Sequence, residues 1–121
     1  MGEFDFIATY LAPLAGPPGL GLLDDAAIFS PPAGRDLVIT KDAMAEGVHF
    51  PMGHWGADTA EKLLRVNLSD LAAKGALPLG YFLSLSLPKA FDGRWGKGFA
   101  LGLKTLQDEF DFTVWGGDTT R

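Results

Sequence analysis

Phe6, Ile7, Tyr10, Leu11 and Leu14 recur at three- and four-residue steps, a spacing that predicts a short amphipathic helix over residues 4–14, ended by Gly16-Pro17-Pro18-Gly19. The next apolar groups are short and bounded by turn residues. Leu20 to Ser30 carries Ala26-Ala27-Ile28-Phe29, Pro31-Pro32-Ala33-Gly34 makes a turn, and Leu37-Val38-Ile39 follows, so two adjacent strands are expected. A third extended piece is expected at Val48-His49-Phe50, before a loop of Pro51, Gly53 and Gly56. Asp58 with Glu61 three residues later predicts a capping-box start to a helix, in which Leu63, Leu64, Leu68, Leu71 and Ala72 share one face until Gly75 closes it. From Pro78 to Leu87, Tyr81, Leu83, Leu85 and Leu87 alternate with Phe82, Ser84 and Ser86, the period of a strand. From Asp92 onward Trp95, Phe99, Leu103, Leu106 and Phe110 mark a second long helix. Phe112-Thr113-Val114-Trp115 is a further strand, running into a glycine-rich turn at Gly116-Gly117-Asp118-Thr119-Thr120.

Two long helices separated by a strand predict an α+β fold, a mixed or antiparallel sheet with helices packed on one face. The 121 residues make one domain, spanning 1–121, and a domain of that size buries roughly two-thirds of its unfolded surface. With 47% hydrophobic and 21% charged residues the chain falls among soluble globular proteins, and no apolar stretch reaches the length of a membrane span. Its opening residues are acidic where a secretory signal would be basic, which leads to the expectation of a cytoplasmic protein. The chain stops just after the Gly116-Gly117-Asp118 segment, an odd place for a domain to end, and the expectation is a fragment lacking a carboxy-terminal domain.

Charge and cysteine count narrow the chemistry. No cysteine is present, which removes disulfides, thiolate nucleophiles and cysteine zinc sites. A net charge of −5 with scattered Lys and Arg argues against a nucleic-acid partner, and an anionic ligand would need cations to mediate its binding. Asp24-Asp25, Asp42, Asp70 and Asp118 fall in separate elements, several at element ends, as a hard-cation site requires. Two carboxylates about 4 Å apart repel by roughly 4 kcal/mol at an effective dielectric near 20, so such a cluster needs cations to hold it. Each aspartate also has an ordinary reading. One of Asp24 and Asp25 is solvated or caps a turn, Asp42 and Asp118 are turn formers, and Asp70 is an exposed helix residue. Gly93-Arg94-Trp95-Gly96-Lys97-Gly98 lacks the gap and the Ser or Thr of a Walker A loop and is read as a helix start. His49 and His54 lie outside any zinc pattern, and Ser69 has no neighbouring base.

Three strings add to this reading: Leu23-Asp24-Asp25-Ala26-Ala27, Thr40-Lys41-Asp42-Ala43-Met44-Ala45-Glu46-Gly47-Val48-His49-Phe50, and Val66-Asn67-Leu68-Ser69-Asp70-Leu71-Ala72-Ala73-Lys74-Gly75-Ala76. With Gly116-Gly117-Asp118-Thr119-Thr120-Arg121 and the opening Gly2-Glu3-Phe4, they resemble the thiamine-monophosphate kinase family in order and spacing over essentially the whole chain. That family belongs to the aminoimidazole ribonucleotide synthetase-like superfamily, which binds ATP without a Walker loop and holds magnesium ions on clustered aspartates. By this resemblance Asp25, Asp42, Asp70 and Asp118 are magnesium ligands, Thr40 and Lys41 add contacts partly through backbone, Gly117 and Asp118 lie against the ATP phosphates, and His49 faces thiamine monophosphate. It also implies a homodimer joined through the amino-terminal domains and a carboxy-terminal domain that completes the site. Two positions depart from the family: Leu23 stands where Gly is common, and Lys41 where Thr or Ser is common. An ammonium cannot ligate a cation, so only the Lys41 carbonyl is left for that role.

The implied reaction carries the terminal phosphoryl of ATP to the phosphate of thiamine monophosphate, giving thiamine diphosphate and ADP. Its nucleophile is a phosphate oxygen whose second pKa is near 6, so no general base is required. Two other readings stand beside it: a dimerising nucleotide- and magnesium-binding module without catalysis, and another superfamily member such as aminoimidazole ribonucleotide or selenophosphate synthetase. The absence of cysteine argues against the selenium branch, and the Asn67–Ala73 string against the purine branch.

Overall fold

Residues 2–120 are described by the computed structural model, and Met1 and Arg121, the last residue of the Gly-Gly-Asp-Thr-Thr-Arg string, lie outside them. The first helical segment begins as α1 (Glu3–Phe6), widens into a π turn over Ile7–Leu11 and tightens into a 3-10 turn over Ala12–Leu14. Pro13 explains the change of winding, because it has no N–H to donate and its ring crowds the preceding turn. Phe6, Leu11 and Leu14 are buried on the face that the spacing predicts. A further 3-10 segment, Pro17–Leu22, passes through left-handed backbone at Leu20, Gly21 and Leu22 before the chain reaches Asp24.

The two long helices are α2 (Ala57–Ala73) and α3 (Gly93–Phe110), packed on each other. Their contact is close because Gly102 has no side chain, and a Cβ there would strike the backbone of Ala57. The N-cap of α2 is Gly56, so the capping box expected from Asp58 and Glu61 does not form. Asp58 lies one residue inside the helix, where its Oδ1 accepts from the Thr59 N–H at 3.0 Å and its carboxylate faces His54. At the other end, Gly75 N–H donates to the Ala72 carbonyl and Ala76 N–H to that of Leu71, a left-handed closure made possible by Gly75 at φ +67°. In α3, Asp92 caps the N-terminus by accepting from Arg94 and Trp95, and Phe99, Leu103 and Leu106 are buried.

The strands β1 (Gly80–Ser86) and β2 (Thr113–Thr120) pair in parallel on either side of α3 in sequence, with one irregularity between Tyr81 and Phe82. The fold is therefore α+β with helices and a small sheet, but the sheet is two parallel strands and not the mixed or antiparallel one expected. The intervening helix is the reason, since a long crossover returns the chain to the same end of the sheet and a hairpin does not. Leu83, Leu85 and Leu87 are buried while Phe82, Ser84 and Ser86 are exposed, so one face is covered and the other is open. Ala15 adds an isolated parallel bridge to Val114, with Gly16 N–H donating to the Val114 carbonyl.

Gly116-Gly117-Asp118-Thr119-Thr120 is strand, not the glycine-rich turn expected. The glycines are there for approach: a Cβ on Gly117 would overlap the backbone of Leu83 on β1. The segments at 20–30 and 37–39 are not strands, and at 48–50 only an isolated bridge between Glu46 and Phe50 appears. A strand needs a neighbour that pairs with it residue after residue, and among the described residues these segments make only single contacts, such as Ile28 N–H to the Pro18 carbonyl. Many of their side chains stay out, with Leu23 93%, Ile28 69% and Ile39 86% exposed, whereas Phe50 is buried in the core.

Candidate functional site

One open groove of about 620 Å³ runs along α2, lined by Asp42, Asp58, Glu61, Lys62, Arg65, Val66, Ser69 and Asp70. Helical geometry builds most of it. Positions 58, 62, 65, 66, 69 and 70 recur at three- and four-residue intervals, so one flank of α2 faces the groove while Ala60 and Leu64 face the core. Asp42 comes from the preceding irregular segment, where its Oδ1 accepts the Ala43 N–H at 2.9 Å and fixes the local turn. Thr40 reaches α2 as well, its hydroxyl donating to Asp70 Oδ2 at 3.5 Å, a long bond that a stronger ligand would displace.

The groove carries four carboxylates, Asp42, Asp58, Glu61 and Asp70, against two cations, Lys62 and Arg65. Both cations and one carboxylate have partners elsewhere. Arg65 pairs with Glu109 of α3 at 3.3 Å and lies 5.9 Å from the centre of the Phe110 ring. Lys62 Nζ donates to the carbonyl of His49. Asp58 accepts from His54 Nε2 at 2.8 Å, and this hydrogen bond is the main cause that holds its carboxyl below the ordinary value of 3.8. What remains turned to the groove is rich in carboxylate oxygen.

The residues singled out in the sequence are partly gathered. Asp42 and Asp70 both line the groove, and Thr40 is tied to it through its bond to Asp70. Lys41 is exposed beside them, with its own side chain outside the groove lining. Asp25 lies on an exposed bend, where its N–H is taken by Asp24 Oδ1 at 2.8 Å. Leu23, just before it, has φ −101°, so this position does not need glycine. Asp118 is exposed on β2, registered beside Ser84 on the open side of the sheet, and Gly117 pairs with Leu83. His49 is exposed in the loop between residues 45 and 55, and its Nδ1 accepts the Ala45 N–H at 2.8 Å.

Magnesium takes oxygen ligands and prefers one or two carboxylates with water and phosphate to an all-protein cage. Asp42, Asp70 and the Thr40 hydroxyl fit that donor chemistry. Among the described residues, no three His, Cys, Asp or Glu side chains come close enough together to hold an ion by themselves, so Asp25 and Asp118 do not join the other two. Lys62 and Arg65 are not singled out by any motif in the sequence, and Glu61 only as part of the expected capping box. Their signal is the polar stripe at helical spacing on α2, opposite its apolar face.

No helix among the described residues is long and apolar enough to cross a membrane. Residues 23–121 match the family model described as AIR synthase related protein, N-terminal domain. The chain is similar to the thiamine-monophosphate kinase of Caulobacter vibrioides, 51% identical over 119 residues, which cover 97% of this chain and 34% of that protein. With the thiamine-monophosphate kinase of Escherichia coli K12 it is 41% identical over 123 residues, 99% of this chain and 38% of the relative. The crystal structure of thiamine-monophosphate kinase from Stenotrophomonas maltophilia K279a matches with a TM-score of 0.75 at 47% identity, covering 83% of this chain and 31% of that one. The chain thus spans about a third of the length of the curated relatives it matches.

Proposed function

From a chain that belongs to the AIR synthase related, N-terminal domain family, we propose an ATP-dependent kinase that phosphorylates thiamine monophosphate to thiamine diphosphate, acting as part of a longer protein. The observation that carries the reading is that Asp42 and Asp70 line one carboxylate-rich groove, with Thr40 bonded to Asp70, in a chain whose relatives are thiamine-monophosphate kinases. Residues 1–121 are then its ATP- and magnesium-binding domain, and a carboxy-terminal domain supplies the rest of the site. ATP as co-substrate follows from kinase chemistry, and the proposed enzyme is cytoplasmic.

Asp42, Asp70 and the Thr40 hydroxyl would hold magnesium; Asp25 and Asp118, which stand apart from that set here, and the Lys41 carbonyl would be ligands to further magnesium on the ATP phosphates. Bound there, magnesium would neutralise phosphate charge. The chain's own part is positioning. Gly117, held close against Leu83 of β1, and Asp118 lie against the ATP phosphates, and His49 meets the acceptor. No side chain needs to take a proton, since the attacking phosphate oxygen is already largely ionised at neutral pH. The exposed apolar positions Ile28, Ile39 and Phe82 supply a surface for a second copy, and the proposed enzyme is a homodimer.

The test is Asp70→Asn in the full-length enzyme, assayed for ADP and thiamine diphosphate. Turnover should fall by roughly 10²-fold or more, the scale of losing one electrostatic stabiliser of the transferred group, with an unchanged thermal midpoint. A rate within about threefold of the parent removes Asp70 from the site. An enzyme that binds ATP only with magnesium yet forms no product from thiamine monophosphate would favour the binding-module reading.

A further inference from the structure

The loop from Ala45 to Trp55 is closed by its own polar groups. Gly47 N–H donates to the Phe50 carbonyl at 2.7 Å, and Glu46 Oε2 accepts from Gly53 N–H at 2.9 Å and from Trp55 Nε1 at 2.6 Å. Within it, the Ala45 N–H occupies His49 Nδ1, which puts the ring proton of the neutral imidazole on Nε2. The loop is fastened to α2 at two places. Thr59 Oγ1 donates to the His54 carbonyl at 2.6 Å near the helix start, and one turn further on Lys62 Nζ donates to the carbonyl of His49 itself.

Lys62 lines a groove with four carboxylates, yet it makes no ion pair among the described residues and spends its hydrogen bond on a backbone carbonyl. We infer that Lys62 is a positioning residue that acts through His49: its ammonium fixes the loop against α2 so that His49 presents Nε2–H to an anionic oxygen of the acceptor substrate. This rests on the proposed role of His49 at the acceptor. Because Lys62 and Asp70 are both on α2, the same bond joins the acceptor loop to the helix that carries Asp70.

Two measurements on the full-length protein test it. In Lys62→Met, which keeps the aliphatic stem, amide exchange of the 45–50 segment without any ligand should accelerate at least tenfold, and Lys62→Arg should restore most of the protection. Unchanged exchange in Lys62→Met overturns the inference, whatever the enzyme assay gives. In the assay, Lys62→Met should raise KM for thiamine monophosphate about tenfold, with kcat and the KM for ATP within about twofold. In a His49→Ala background the same substitution should change KM by less than twofold, because the group it positions has gone. Equal effects in both backgrounds would also overturn the inference. A parent enzyme without activity on thiamine monophosphate would count against the proposed reaction, and the exchange result would still decide the role of Lys62.

Discussion

Gly117→Ala tests the strand pairing that places Asp118. Gly117 sits opposite Leu83 in the parallel ladder, and an added Cβ would overlap the Leu83 backbone at N, C and O. Backbone cannot move aside as a flexible side chain can, so β2 must withdraw from β1. Overpacking of this kind costs about 1–3 kcal/mol, and the left-handed φ of +148° adds about 1–3 kcal/mol for an L side chain. The sum, about 2–6 kcal/mol, is large beside the roughly 5–15 kcal/mol that stabilises a typical protein. Gly34→Ala is the control, because φ there is +76° but nothing lies within 4 Å of an added Cβ, leaving only a backbone cost of about 1–2 kcal/mol. Amide exchange of β1 (Gly80–Ser86) reads the difference locally. Gly117→Ala should speed it by about 30-fold or more, the equivalent of about 2 kcal/mol, and weaken ATP binding, while Gly34→Ala leaves both unchanged. Exchange within threefold of the parent in Gly117→Ala would refute the close-approach argument.

Two pH dependences follow from the structure. The hydrogen bond from His54 lowers the Asp58 carboxyl, so its contribution is present above the ordinary value of 3.8 and is lost as pH falls through the lower folded value. Asp58→Asn should remove this step from the acid limb of a circular-dichroism titration, and identical acid limbs would contradict it. Burial pushes the Tyr81 phenol above its ordinary 10.0, and its hydroxyl donates to Gln107 Oε1 at 2.8 Å. That stabilisation is whole below pH 10 and is lost as pH climbs toward the raised folded value. Tyr81→Phe should cost about 1 kcal/mol at neutral pH and flatten the alkaline limb of unfolding, and parallel alkaline limbs would show that Tyr81 is not the group involved.

Local periodicity carried the helical and strand content wherever the core decides it. Phe6, Leu11 and Leu14, the Phe99, Leu103 and Leu106 series, and Leu83, Leu85 and Leu87 are all buried on the faces their spacing predicts. What failed was non-local. Alternation in residues 78–87 says nothing of strand direction, which the 18-residue α3 between the strands settles as parallel. Glycine usually signals a turn, but Gly116 and Gly117 lie in a strand that approaches its neighbour closely, a property of Leu83 as much as of themselves. Apolar runs such as Leu37-Val38-Ile39 look like strands and find no partner among the described residues. The same split holds at the site. Asp42 and Asp70 came from recognisable strings and do share a groove, with Thr40 tied to Asp70, whereas Lys62 is seen only when the polar flank of α2 is followed and its bond to His49 is known.

The buried amide of Gln107 donates to the Leu14 carbonyl across 93 residues of sequence, and the Tyr10 hydroxyl donates to the Gly93 carbonyl across 83. Ribosomes add about 5–20 residues per second, so the opening segment leaves the exit tunnel roughly 5–20 s before its binding surface on α3 leaves it. During that interval Phe6, Leu11 and Leu14 have nowhere to hide. The Phe6–Leu14 segment is therefore where a nascent-chain chaperone would find its longest opportunity, and where slower translation of α3 would do most harm.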